Sequence, residues 1–253
     1  MHREVRNLAH DRAIHVHRVQ GKDDPFLKEA LEGPYERIPQ DQRTEIAQIL
    51  GMVDIHERER GSAGSEVDAV DIFLIATTGG RERSSVVAFL YATRHPAERV
   101  IFISYLAQSD RLSVTLRLKA TNELLFALQA HEAECQAYLW EVDTGAKARR
   151  FHRWAADFGL IQSTLSHVPF VQPDLSVNCD PSRERQLMLC LAARDSHPWI
   201  RNTPEAVAML LNFVYDKIYG DLHVMQDDGE RYLAYVMRLK ARVLQDYSAK
   251  QLN

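Results

Sequence analysis

Apolar positions divide this chain into an alternating opening, a central block of near-continuous apolar runs, and a tail of helical period. Residues 13–20, AIHVHRVQ, alternate apolar and polar and predict a first strand. Gly21 to Asp24 turns the chain, and Asp24 stands where it can cap a helix beginning at Pro25. That helix, PFLKEALEGPYERI, is interrupted at Gly33-Pro34, because proline lacks an N–H and disfavours helix at the residue before it. A second helix follows Pro39, with TEIAQILGMV as its apolar face, and Gly61 to Gly64 reads as a loop. From Val67 the period becomes that of strands: VDAVDIFLIATT, SSVVAFLYATR and RVIFISYLAQ. The turn GGRER makes the first two antiparallel neighbours, and His95-Pro96-Ala97-Glu98 leads into the third. Runs this continuous predict a sheet buried on both faces.

Arg111 to Ala130 returns to helical spacing, with Leu116, Leu118, Leu124, Leu125 and Leu128 along one side, and CQAYLWEVD is a strand again. Strand, helix, strand predicts a right-handed crossover with its two strands parallel. In such a unit the site lies at the carboxyl ends of the strands, where the helix start offers free N–H groups. A further helix, AKARRFHRWAADFG, ends on Gly159 as a left-handed cap. LIQSTLSHVPFVQ, whose Pro169 suits an edge or bulge, and RQLMLCLAAR are the last two strands, with PDLSVNCDPS an exposed loop between them. After Asp195 the chain is helical, starting at Thr203-Pro204-Glu205 and ending in DDGERYLAYVMRLKARVLQDY. The expected class is α/β (α+β): a mixed central sheet flanked by helices. Residues 1–195 form the main domain and 196–253 a C-terminal helical extension packed on it, serving as a lid or a dimerisation element.

Composition narrows the function classes. Net charge is −4 with basic residues spread evenly, which argues against a nucleic-acid surface. Three cysteines without paired spacing point to a reducing cytoplasm, and no apolar run approaches a signal peptide or a membrane span. His15 and His17 share a strand face but have no readable third metal ligand, and His131-Glu132-Ala133-Glu134-Cys135 lacks the second His of a zinc helix, so no metal is expected. Ser84, Ser85, Ser163 and Ser166 sit in no nucleophile-elbow context, and Cys190 reads as inert core.

Several stretches, in order, resemble the GNAT superfamily of acyl-CoA-dependent N-acyltransferases. PYERIPQDQR is similar to an entry to the second helix, ISYLAQ to the fourth strand, RRFHRWAADFG to the late helix, and HVPFVQPDLS with RQLMLCL to the closing strands. The similarity spans roughly residues 13 to 194. It implies a sheet that splays between the strand ending in Tyr105-Leu106-Ala107 and the strand Ala137–Asp143, with the pantetheine arm of acetyl-CoA or another acyl-CoA in the gap. The diphosphate then lies at the start of the Arg111–Ala130 helix. An amine of a small molecule or peptide attacks the thioester, helped by a base and an acid.

Two departures bear on that chemistry. The diphosphate loop of the superfamily carries glycines so that backbone N–H groups can approach phosphate; SDRLSVTLRLKATNELL has none. Its best match sets Arg117, Ala120 and Asn122 in the motif's places, with Lys119 as added charge. The position of the usual acidic Tyr holds Ala155 beside Trp154, whose indole is no acid. Glu141 and Asp143 alternate on one strand and so face the same side, as two solvated carboxylates or with Glu141 as base and Asp143 toward substrate. Tyr105 is the first candidate acid, with Tyr138 and Tyr35 the others and solvent the alternative proton source. Tyr35, Glu36 and Phe170 are the remaining substrate candidates. Three readings stay open: an acyl-CoA acyltransferase, a binding module without catalysis, and an acyltransferase taking its acyl group from acyl carrier protein. Neither nucleic acid nor membrane is an expected partner, and a homodimer is left open.

Overall fold

The computed structural model describes residues 13–39, 43–60, 69–79, 85–110, 112–143, 145–165, 168, 170–175, 178–201, 203–225 and 228–251. The loop expected at Gly61 to Gly64, the GGRER turn after Gly79, and Ser84, Ser166 and Pro169 lie outside them. Strands β1 (Ile14–Arg18), β2 (Val70–Thr78), β3 (Ser85–His95), β4 (Val100–Gln108), β5 (Ala137–Val142), β6 (Ile161–Thr164) and β9 (Met188–Ala193) build one seven-stranded sheet, ordered β1-β2-β3-β4-β5-β9-β6. A separate ribbon pairs β7 (Val171–Gln172) with β8 (Arg185–Gln186). In the large sheet every pairing is antiparallel except β4 with β5. That parallel pair flanks α3 (Val114–His131), as the strand–helix–strand order requires.

The closing strands differ from the sequence reading. The stretch 160–172 forms two short strands, because Leu165 N–H still bonds Leu189 C=O and the chain then turns off the sheet at Val168. Residues 185–194 likewise split at Leu187, whose N–H turns to Phe170 C=O. The freed pieces become the β7–β8 ribbon.

Helices cover both faces. α3 and α4 (Gly145–Asp157) lie on one, where Leu124, Leu125, Leu128, Phe151 and Trp154 pack beneath Ile101, Ile103, Tyr138 and Trp140. Ser113 caps α3 by accepting Leu116 N–H, and Gly159 follows α4 at φ 64°, the left-handed turn expected there. On the other face, α1 (Pro25–Glu32) and α2 (Ile46–Arg60) sit over β2–β4, burying Leu27, Leu31, Ile49 and Phe89. α1 stops at Gly33, where a Cβ would lie 2.8 Å from Glu29 O, and a 3-10 turn over Tyr35–Arg37 replaces the continued helix. α5 (Pro204–Phe213) and α6 (Gly229–Gln251) cover β5 and β9, sharing a core with Leu139, Leu189 and Leu191. The expected single helix after Thr203 widens into a π-helical stretch, Val214–Tyr219, before a 3-10 segment, Gly220–Met225.

Candidate functional site: a slot in the middle of the sheet

β4 and β5 pair only from Val100↔Ala137 to Ile103↔Trp140. Beyond that, β4 follows β3 to Gln108 while β5 follows β9 to Val142, so the sheet opens between them. The cause is local. Tyr91 faces Tyr105 while Ala92 faces Ile103, which leaves Ser104 as an extra residue that bends β4 away from β5. The backbone groups of β4 on the β5 side past Ile103 therefore have no strand partner among the described residues. A cleft of about 360 Å³ occupies the opening, lined by Ser104 to Gln108 on one side and Trp140, Glu141 and Asp143 on the other.

Glu141 is the half-buried carboxylate of this cleft. Tyr219 Oη donates to both of its oxygens, at 2.6 Å to Oε1 and 2.5 Å to Oε2, and Gln172 Nε2 donates to Oε2 at 3.2 Å. Burial pushes its carboxyl up to about 8 against the opposing pull of these two donors. The π-helical stretch brings Tyr219 here, while Tyr215 Oη donates to Val171 C=O at 2.5 Å and accepts Val171 N–H at 3.2 Å. One widened turn of the C-terminal segment thus grips both the β7 strand and the carboxylate. Nothing in the strand pattern around Glu141 could have pointed to Tyr219. The readable signal is the aromatic spacing Tyr215, Tyr219 ahead of Gly220, where a Cβ would crowd Tyr215 C=O at 3.2 Å.

The cleft brings together Tyr105, Leu106, Ala107, Arg117, Glu141 and Asp143 from the sequence candidates. Tyr105 turns its hydroxyl inward, accepting Thr44 N–H at 2.8 Å and meeting Thr44 Oγ1 at 3.0 Å, and burial raises its pKa. Its hydroxyl is therefore engaged with Thr44. Asp143 is bound by Lys147 at 2.8 Å and held below the usual carboxylate range by Lys147 and Arg185, although partial burial opposes this.

Other candidates stand elsewhere. Ala120 is fully buried in the core under α3, and Lys119 and Asn122 are exposed, so the segment set against the diphosphate loop lies within the helix rather than before it. A helix interior has its N–H groups already bonded and cannot cradle phosphate. Tyr35 is buried, donating to Thr44 C=O at 2.7 Å; Glu36 is exposed; Phe170 is core, packed on Tyr215. Trp154 and Ala155 are also core, with Trp154 edge-on to Tyr138. Glu132 is bound by Arg18 and Arg94, each at 3.0 Å, a structural clasp, and Cys190 is buried in the sheet. Among the described residues no group of His, Cys, Asp and Glu comes together as a metal site, and no helix is long and apolar enough to cross a membrane.

No family model matches the sequence, and no curated protein matches it. Solved structures do. Diaminobutyrate acetyltransferase from Paenibacillus lautus, solved with L-2,4-diaminobutyric acid and coenzyme A, superposes with a TM-score of 0.50 at 11% identity, over 72% of this chain and 96% of its own. A protein described as a GNAT-family acetyltransferase, from Bacteroides thetaiotaomicron, gives 0.51 at 12% identity, over 79% of this chain and 97% of its own. The fold is the GNAT fold.

The chemistry available in this GNAT-fold slot divides by face. Arg117 of α3, with Lys147 and Arg150 of α4, lines the face that α3 and α4 cover. Glu141 meets Gln172 on the opposite side, where Arg185 and Leu187 also line the cleft. One side is a patch of cations; the other is a basic carboxylate in a fixed hydrogen-bond frame.

Proposed function

We propose that the protein moves an acyl group from an acyl-CoA thioester, acetyl-CoA among the candidates, to a primary amine of a small molecule or peptide. The observation that carries this is Glu141, a carboxylate with a pKa of about 8, at the mouth of a slot between unpaired strands. An amine arrives as an ammonium and must lose a proton before it can attack. A base titrating near neutrality is matched to that task. The new N–C bond forms as the C–S bond breaks. One ammonium proton passes to Glu141, directly or through one water, before attack; the second leaves nitrogen as the adduct collapses and reaches the departing thiolate through solvent, since Tyr105 is held by Thr44. Unpaired β4 N–H groups are the donors available to the developing oxyanion.

Arg117, Lys147 and Arg150 suit the phosphates of a CoA thioester, replacing glycine-lined backbone contacts by side-chain charge. The helical segment after residue 195 belongs to the working unit in this reading, because it carries Tyr219. The cysteine thiols Cys135, Cys179 and Cys190 and a CoA donor fit a cytoplasmic setting. Titrating the purified chain with acetyl-CoA and longer acyl-CoAs by calorimetry tests the reading. Heat and a raised melting temperature are expected, followed by thiol release with an amine; neither response to any thioester sinks it.

A carrier-protein donor is the second reading. It is favoured by Val114 and Leu118, 63% and 39% exposed one turn apart at the start of α3 around Arg117, a surface a folded donor can cover. Competition between acyl carrier protein and acyl-CoA separates the two.

A further inference from the structure

The cations of the cleft do not all face the donor. Arg185 stands on β8 directly opposite Gln172 of β7 in an antiparallel pair. Opposed residues in such a pair project to the same face of the ribbon. Gln172 uses that face to reach the Glu141 carboxylate at 3.2 Å. The Arg185 side chain accordingly leaves the ribbon on the face that Gln172 uses, lines the same cleft, and its charge is felt at Asp143.

Two other cations of the cleft are already paired. Asp143 is taken by Lys147, and Arg37, which also lines the cleft, is bound by Asp110. Among the described residues no carboxylate lies within ion-pair distance of Arg185. Part-buried guanidinium groups are commonly matched by a carboxylate or phosphate that fits their planar fork. Here the cleft that Arg185 lines also holds Glu141, the base that must receive a proton from the acceptor amine. A polycationic acceptor would bring its second charge against Arg185. An amine with a carboxylate a few bonds away places one end at Glu141 and the other at the guanidinium.

We propose that the acceptor is an amino acid or similar amine bearing a free carboxylate, held by Arg185 while Glu141 takes the ammonium proton. This rests on the acyl-transfer reading above and adds the acceptor class to it. Arg185 is a specificity-determining residue, and its effect falls on acceptor KM more than on kcat.

The test uses the full chain with acetyl-CoA as donor, following thiol release with matched acceptors: glycine and glycinamide, β-alanine and β-alaninamide, L-glutamate, and spermidine. At least one acid is expected to exceed its own amide about tenfold or more in kcat/KM. Arg185→Gln should bring that ratio close to one through KM, and Arg185→Lys should restore part of it. An amide makes its own amine less basic, so the ratio is read against the same ratio in Arg185→Gln. Amides equal to their acids, spermidine as the best acceptor, or an unchanged ratio in Arg185→Gln overturns the proposal while leaving acyl transfer standing. Thermal shifts with the same acids and amides, in the presence of CoA, separate the two readings. A shift with an acid that is absent with its amide and lost in Arg185→Gln supports the carboxylate site even if no thiol is released. Neither turnover nor shift with any acid counts against it.

Discussion

The two sides of the slot are built on different principles. At the α3 start the cleft offers charge without a shaped cradle: Arg117, Lys147 and Arg150 line it, and the loop before the helix has no glycine. At the Glu141 corner each contact is specified, with Tyr219 on both oxygens and Gln172 on one. Long-range charge tolerates small displacements and weakens with salt, whereas a proton transfer depends on hydrogen-bond geometry. On the proposed reading, the donor is held loosely and the base rigidly, and variants on the two sides should differ in which constant they change.

The largest effect is expected from Glu141→Gln, which keeps size and can still accept from Tyr219 but removes the base. Acyl transfer should fall by about 10²–10⁴-fold in kcat with acyl-CoA affinity preserved. Rate loss with a parallel loss of donor affinity would break the separation between the two sides. Tyr219→Phe comes next. It removes the donor to both Glu141 oxygens, a loss of about tenfold for a hydrogen bond to a charged group. Since that bond favours the ionised carboxylate, the acid limb of the kcat/KM profile should move to higher pH. A lower rate with an unmoved limb would make Tyr219 merely structural.

Why the sequence carried one side and not the other follows from the distances involved. The splayed pair is legible because strand, helix and strand are consecutive and period alone separates them, and Glu141 is legible because strand alternation fixes its face. Tyr219 is 78 residues from Glu141, and only a helix widened by one π turn delivers it; helical periodicity alone predicts an ordinary helix there. Arg117 was identifiable as a cation near the helix start. Ala120 and Asn122 were set by spacing against a motif, and spacing cannot say where a helix begins; Ser113, the cap, does. The split of residues 160–172 was hidden for a similar reason: apolar composition continues through Leu165 and Val168 while the hydrogen bonds do not.

On the donor side, Arg117→Gln with Arg150→Gln should weaken acyl-CoA binding about three- to tenfold at low ionic strength, with kcat at saturation little changed. The defect should shrink as salt rises, because exposed charge–phosphate attraction is screened. A defect insensitive to salt, or one that falls on kcat, would mean that these arginines shape the slot rather than supply charge to it.

The smallest effect tests the base corner without turnover. A carboxyl that titrates near 8 in the folded chain and near 4.5 in the unfolded one is bound to its proton more tightly when folded. Its contribution to stability is therefore complete below about 4.5 and is lost as pH rises toward and through 8. Glu141→Gln removes that loss, so the melting temperature of the variant minus that of the parent should grow between pH 5 and pH 9, by several degrees on the scale of about 2–4 °C per kcal/mol for a chain of this size. His152 and His197, which burial keeps neutral, lose stability in the opposite direction as pH falls below their ordinary range, and they cancel in the subtraction. The same difference measured in a Tyr219→Phe background should widen further at high pH, because the carboxylate then lacks its main donor. A difference flat across the range would mean that Glu141 is solvated like any surface carboxylate, and the rigid corner would then be no more specified than the cationic one.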